Sequence, residues 1–185
     1  MARKIRSKQL VTDTDFYNQI EQLLIDSSVN TPVWDKIANV IKQVVPCDRM
    51  VIASTDVPRG LFSPIQISGL SIPDWDSSPV HRLGESLIGQ AVSVNSPITS
   101  STIPSMYTKH DGDDINSIVP SANWASGLGM RIVNGGEVVG AIVFLSHVPN
   151  AFDSDDFLVV EKVSRVLGPY LSQQTLQKEI LRATE

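Results

Sequence analysis

Three histidines, one cysteine and a knot of aspartates are the side chains here best suited to chemistry, and their spacing limits what that chemistry is. Cys47 is alone, so neither an intrachain disulfide nor a cysteine-based zinc cluster can form. It follows Pro46 at the mouth of a strand-like run, where a free cysteine packs as a small hydrophobe. Asp111, Gly112, Asp113 and Asp114 suggest calcium, but the EF-hand spacing and its terminal Glu are missing; a solvated acidic loop accounts for them. Gly84 and Gly89 are spaced as in a phosphate-binding loop, yet no Lys-Ser/Thr follows. No Ser-His-Asp constellation or nucleophile–base pair can be named, so the sequence reads as a non-enzyme without a metal site.

Composition narrows the partners. A formal net charge of −5 with 19% charged residues gives no basic face for nucleic acid. The basic cluster Arg3, Lys4, Arg6 and Lys8 reads as a flexible, solvated leader over residues 1–12. No run approaches the ~18 apolar residues of a membrane span, and the first residues lack a signal-peptide core. The expected setting is cytoplasmic, with neither membrane nor nucleic acid as partner. At 185 residues and 42% hydrophobic content, one core and one domain are expected.

The elements that must position any site centre on Gly127 to Leu171. Asn134-Gly135 between two apolar runs marks a hairpin, because a type I′ turn needs positive φ at both central residues. Ser126, Leu128, Met130 and Ile132 alternate with smaller or polar residues, giving the first strand an inner face. From Val138 to Leu145 nearly every residue is apolar, which predicts a central strand covered on both faces. Upstream, Phe16, Ile20, Leu23 and Leu24 mark a helix over Thr12 to Asp26. Thr31-Pro32 starts a second helix that ends before Pro46. Arg49 to Thr55 reads as a strand, and Leu61 to Ile67, with Pro64, as an edge strand. Ser68 to His81 is a loop, Gly84 to Val92 a short helix and Ile98 to Ser100 a short strand. Thr102 to Asn123 is polar and irregular, and a long helix begins at Asp153 or Ser154.

This order resembles the GAF domain over residues 13–172, leaving 173–185 as a helical extension or linker. The matching stretches are Val44-Val-Pro-Cys-Asp48-Arg49 at the first strand, Gly84-Glu-Ser-Leu-Ile-Gly to Pro97-Ile98 at the short helix, Ser126 to Ile142 at the hairpin, and Asn150-Ala-Phe152-Asp-Ser-Asp-Asp-Phe157 at the closing helix. The resemblance implies an α+β fold: an antiparallel sheet of about six strands, a helical layer on one face, and a loop and short-helix roof over a pocket on the other. It also implies a small-molecule sensor of a signal-transduction or transcription-regulatory protein, relaying through its terminal helices to an effector absent from this sequence. A ligand-free dimerisation module is the alternative.

Subtypes of the family are less well matched. Ser146, His147, Phe152, Asp156 and Phe157 retain only the Phe and first acid of the cyclic-nucleotide signature, with a His147–Asp156 contact expected to stand in for a missing Lys–Asp pair. Cys47 lies outside the roof segments where a bilin would attach, and one cysteine cannot form the disulfide of the related free-methionine-sulfoxide reductases. The lactone-binding relatives carry an Asp-Pro pair that this sequence lacks. Haem through His110 or His81 competes with the commoner solvated loop histidine, and no cofactor is required. The pocket residues expected are Trp75, Leu87, Ile88, Tyr107, Ile115, Trp124 and Leu128, with His110 as polar anchor. A homodimer is expected through the stripe Val160, Val163, Leu167 and Tyr170.

Overall fold

The computed structural model describes residues 14–26, 33–84, 86–94, 98–100 and 124–183. Two amphipathic helices come first, α1 (Thr14–Ile25) and α2 (Val33–Val44). Residues three and four apart share a helix face, so Phe16, Ile20 and Leu24 bury one side of α1, and Ile37, Ile41 and Val44 one side of α2. Then follow β1 (Arg49–Asp56), β2 (Leu61–Gly69), α3 (Pro73–Asp76), β3 (His81–Arg82), α4 (Leu87–Ser93), β4 (Ile98–Ser100), β5 (Ser126–Asn134), β6 (Glu137–Ser146) and α5 (Ser154–Ala183). Among the described residues the strands form one antiparallel sheet in the order β3-β2-β1-β6-β5-β4.

The apolar run of β6 sits where expected, between β1 and β5. Ala141 to Leu145 are all fully buried. Ile142 and Phe144 face a core shared with α1, α2 and α5. Ala141, Val143 and Leu145 face a second core beneath α3 and α4. These are the helical and roof sides of the sheet.

Local chemistry sets the element ends. The hairpin turns on Gly135 and Gly136, at φ 59° and 89°, with Asn134 paired to Glu137. Both central residues thus take the left-handed backbone that glycine adopts freely. The short helix starts at Leu87 rather than Gly84 because the Ser86 hydroxyl accepts the Gly89 N–H at 3.0 Å, an N-cap. α5 opens with a reciprocal cap. The Asp153 carboxylate accepts the N–H groups of Asp155 and Asp156, and the Asp156 carboxylate accepts that of Asp153 at 2.8 Å.

Three readings change. The segment from Ser68 to His81 is not wholly loop, since it holds α3 and the first residue of β3. β2 is second from the edge, but β3 pairs only with Leu61 and Phe62, leaving Pro64 on the part that β3 does not cover. The stripe assigned to a dimer seam is also redirected. Val160, Val163 and Leu167 are fully buried in the helical-side core of their own chain, so the sheet takes the face that a partner would need. Tyr170 is half-buried, edge-on to Trp34 with centroids 5.5 Å apart. Among the described residues no helix is long and apolar enough to cross a membrane.

Candidate functional site on the roof side of the sheet

Arg49 heads the buried half of β1, ahead of Met50 to Ala53, and is itself fully buried, so its charge must be met inside the protein. Its guanidinium donates to the Leu70 carbonyl and pairs with the Asp76 carboxylate. It also lies over the Trp75 ring, 5.0 Å from the centroid. His81 stacks on Trp75 at 4.2 Å and 15°, and on Phe62 at 5.1 Å and 23°. All four side chains are buried, and they run along the β1–β2 flank of the roof side.

Asp76 fastens the segment that carries Trp75. Its carboxylate also accepts the Ser71 hydroxyl and the Ile72 N–H, both at 2.9 Å. Loss of water is the largest single influence and pushes the carboxyl up. The hydrogen bonds from Arg49, Ile72 and Ser71, with the Arg49 charge, together outweigh it and hold the carboxyl below its ordinary range.

Trp124, also buried, meets the His147 ring at 4.4 Å. His147 does not reach Asp156, whose carboxylate is engaged in the α5 cap. It pairs with Asp48 instead, through its ring at 3.3 Å and its N–H at 2.7 Å, while the Ser146 hydroxyl donates to the same carboxylate at 3.0 Å. The backbone bond from His147, more than any other influence, holds the Asp48 carboxyl below its ordinary range. Beside it, burial pushes the Cys47 thiol up to about 12, so the nucleophilic thiolate is scarce at neutral pH.

The hairpin is gripped from both sides. A Cβ on Gly129 would lie 3.1 Å from the Ala91 Cβ and 3.6 Å from the Leu87 Cγ, so glycine lets α4 settle directly on β5. On the helical side, a Cβ on Gly140 would stand 2.4 Å from the Ala53 oxygen and 3.0 Å from the Leu171 side chain. A Cβ on Gly168 of α5 would meet the Val133 oxygen at 2.3 Å. The Asn134 side-chain amide completes the grip by donating to the Ser172 hydroxyl at 2.9 Å.

Of the residues expected in the pocket, Trp75, Leu87, Ile88 and Trp124 come together in the roof-side core. Leu128 does not. It pairs with Phe144 and shares its face, so it joins the helical-side core with Met130 and Ile132. Tyr107, His110 and Ile115 lie outside the described residues. Arg49, Phe62 and Asp76 are absent from the expected pocket, and His81 enters the sequence reading only as a candidate haem ligand. Arg49 is signalled by the Asp48-Arg49 pair that opens a run of apolar residues.

A groove and a cavity on the described surface are large enough for a small molecule. A groove of 700 Å³ separates α1 from α5, floored by Leu24, Val166, Pro169 and Tyr170. A cavity of 730 Å³ lies at the far end of the sheet, against the β1–β2 turn and α5.

A six-stranded antiparallel sheet with helices on one face and a short-helix roof on the other defines the class of fold. The sequence profile of the GAF domain matches residues 31–170, and the chain belongs to the GAF domain family. No curated protein sequence matches it significantly. Among solved structures it is similar to the GAF domain of a phosphoenolpyruvate-protein phosphotransferase from Coxiella burnetii, with TM-score 0.70, 16% identity, and 89% and 95% of the two chains covered. It is also similar to a domain of a putative two-component sensor histidine kinase protein from Sinorhizobium meliloti, at TM-score 0.57, 20% identity, and 86% and 100% coverage. A free methionine-R-sulfoxide reductase from Neisseria meningitidis, solved with its substrate, aligns at TM-score 0.65, 16% identity, and 86% and 89% coverage.

The reductase corrects the expectation of a non-enzyme. Catalysis occurs on this fold, so neither the fold nor the lack of a familiar motif excludes it. At these identities the neighbours establish the fold alone.

Proposed function

We propose that this chain is the regulatory GAF domain of a cytoplasmic signal-transduction or transcription-regulatory protein, which binds a small molecule on the roof side and relays the change through α5. The observation that carries this reading is the double grip on the β5–β6 hairpin. α4 rests on Gly129 from the roof, while α5 is fitted to Gly140 and Val133 and tied to Asn134 from the other side. A ligand that shifts α4 therefore pushes on a rigid hairpin that already touches the output helix. The coupling equals the ligand's difference in affinity for the two arrangements. Signalling proteins among the structural neighbours agree with this role.

A metabolite screen by thermal shift tests the reading. At 100 times its Kd, a ligand adds about 2.7 kcal/mol by mass action, or roughly 5–11 °C for a chain of this size. The ligand is expected to change tryptophan emission, because Trp75 and Trp124 lie in the roof-side core. Stabilising compounds that leave both the emission and the amide exchange of α5 unaltered would overturn the proposal.

A ligand-free homodimerisation module is the second reading, favoured by the buried Arg49, Trp75, His81 and Phe62 cluster, which fills the β1–β2 flank of the roof side with the chain's own side chains. Its dimer would use the groove between α1 and α5 instead of the buried stripe. A concentration-dependent dimer in sedimentation, together with a screen yielding no stabilising compound, would select this reading.

A further inference from the structure

The two halves of the Arg49–Asp76 pair are unequally enclosed. Arg49 is fully buried, whereas Asp76 is 20% exposed, so water reaches the pair from the carboxylate side. Nη1 of the guanidinium donates to the Leu70 carbonyl and, at 3.4 Å, to Asp76 Oδ2, and Nη2 donates to Asp76 Oδ1. Nε is buried and has no partner among the described residues, so Asp76 serves one edge of the fork and leaves the other unmet.

The carboxylate also belongs to a short element. α3 is four residues long, and its N-cap Ile72 makes no side-chain cap bond. The Asp76 carboxylate closes that turn instead, through the Ser71 hydroxyl and the Ile72 N–H. A buried ion pair gains little over apolar side chains of the same volume, so holding α3 in place does not by itself call for a buried charge. A cation kept under a removable carboxylate is suited to receiving an anion from outside.

We infer that Arg49 anchors the carboxylate of a small organic acid, and that Asp76 holds its place in the ligand-free chain. The inference rests on roof-side ligand binding and adds the ligand's class and its point of entry. The incoming carboxylate arrives beside α3 and takes over Nη1 and Nη2 while Asp76 turns into water. Nε is closed to solvent in the present arrangement, and it becomes a further donor as α3 shifts. One carboxylate replaces another on the same guanidinium, so the buried charge is never left alone. Asp76 releases Ser71 and Ile72 as it leaves, and α3 loosens with Trp75 over Phe62 and His81. The ligand thereby changes the roof at the segment that carries Trp75.

Formate, the smallest carboxylate, is the probe, and chloride at equal ionic strength is its control. Asp76→Ala empties the position, and Asp76→Ala with Arg49→Met removes the anchor as well. Formate at ten times its Kd is expected to raise the Tm of Asp76→Ala by roughly 3–6 °C above chloride. The double variant is expected to melt alike in both salts. In the wild type, the Ile72 amide, which Asp76 holds, is expected to exchange about tenfold or more faster than those of Met50 to Ile52 in central β1, corrected for intrinsic rates. No gain of formate over chloride in Asp76→Ala, an equal gain in the double variant, or an Ile72 amide as slow as those of β1 would each overturn the inference. Any of these failures leaves roof-side binding of an uncharged molecule standing, whereas a metabolite screen without a stabilising compound strikes the roof-side reading itself.

Discussion

Replacing Asp76 by alanine tests how the roof is fastened. The substitution leaves the Arg49 guanidinium fully buried, with the Leu70 carbonyl and the Trp75 face but no counter-charge among its described contacts. Breaking a buried pair from one side costs about 3–5 kcal/mol. Asp76 is 20% exposed, so some water reaches the site and the lower end, about 3 kcal/mol, applies. For a chain of this size that lowers Tm by roughly 6–12 °C. Arg49→Met in the same background removes the stranded charge and keeps an unbranched apolar stem in its place. Calorimetry should therefore find the double variant at least about 1 kcal/mol more stable than Asp76→Ala alone. The pH dependence carries the same signature. The folded pKa of Asp76 is depressed, so its contribution is complete above an unfolded value of about 3.9 and fades as pH falls through the folded value. The curves of wild type and Asp76→Ala should converge in acid. A loss under about 1 kcal/mol at neutral pH, or a double variant less stable than Asp76→Ala, would refute the reasoning.

Other expectations follow from the same contacts. Gly168→Ala drives a Cβ into the Val133 oxygen and should cost about 1–3 kcal/mol in thermal melts, with loosened α5–hairpin packing. Leu167→Ala should lose about 2–5 kcal/mol by opening the helical-side core. Its self-association in sedimentation should match wild type, because Leu167 faces its own sheet. Cys47 should react slowly with a disulfide reagent in the native protein at pH 7.5 and faster once denaturant exposes it.

How far the sequence reveals this molecule depends on the range of each signal. Helix spacing, the glycine turn and the unbroken apolar run of β6 are local, and each is visible within about ten residues. The side of the sheet to which a face points is a tertiary property. Alternation groups Leu128 with Met130 and Ile132, but only pairing with Phe144 turns the set toward the helices. The α5 stripe shows that a face is buried without showing what buries it. Ion pairs are hardest to read. Asp156 is the nearer acid to His147 in sequence, yet Asp156 is spent in a helix cap and Asp48 crosses from the head of β1. Arg49 and Asp76 likewise meet only because α3 folds back over the sheet.

Amide hydrogen exchange in Leu87→Ala measures the hairpin coupling most directly. Leu87 lies in the roof-side core against Gly129 and has no role in the helical-side core. The change loosens α4, and if the hairpin transmits it, exchange should rise in β5 and in residues 168–176 of α5 more than in α2, which packs elsewhere on the helical side. Faster exchange confined to α4, or raised equally in α2 and α5, would contradict the account.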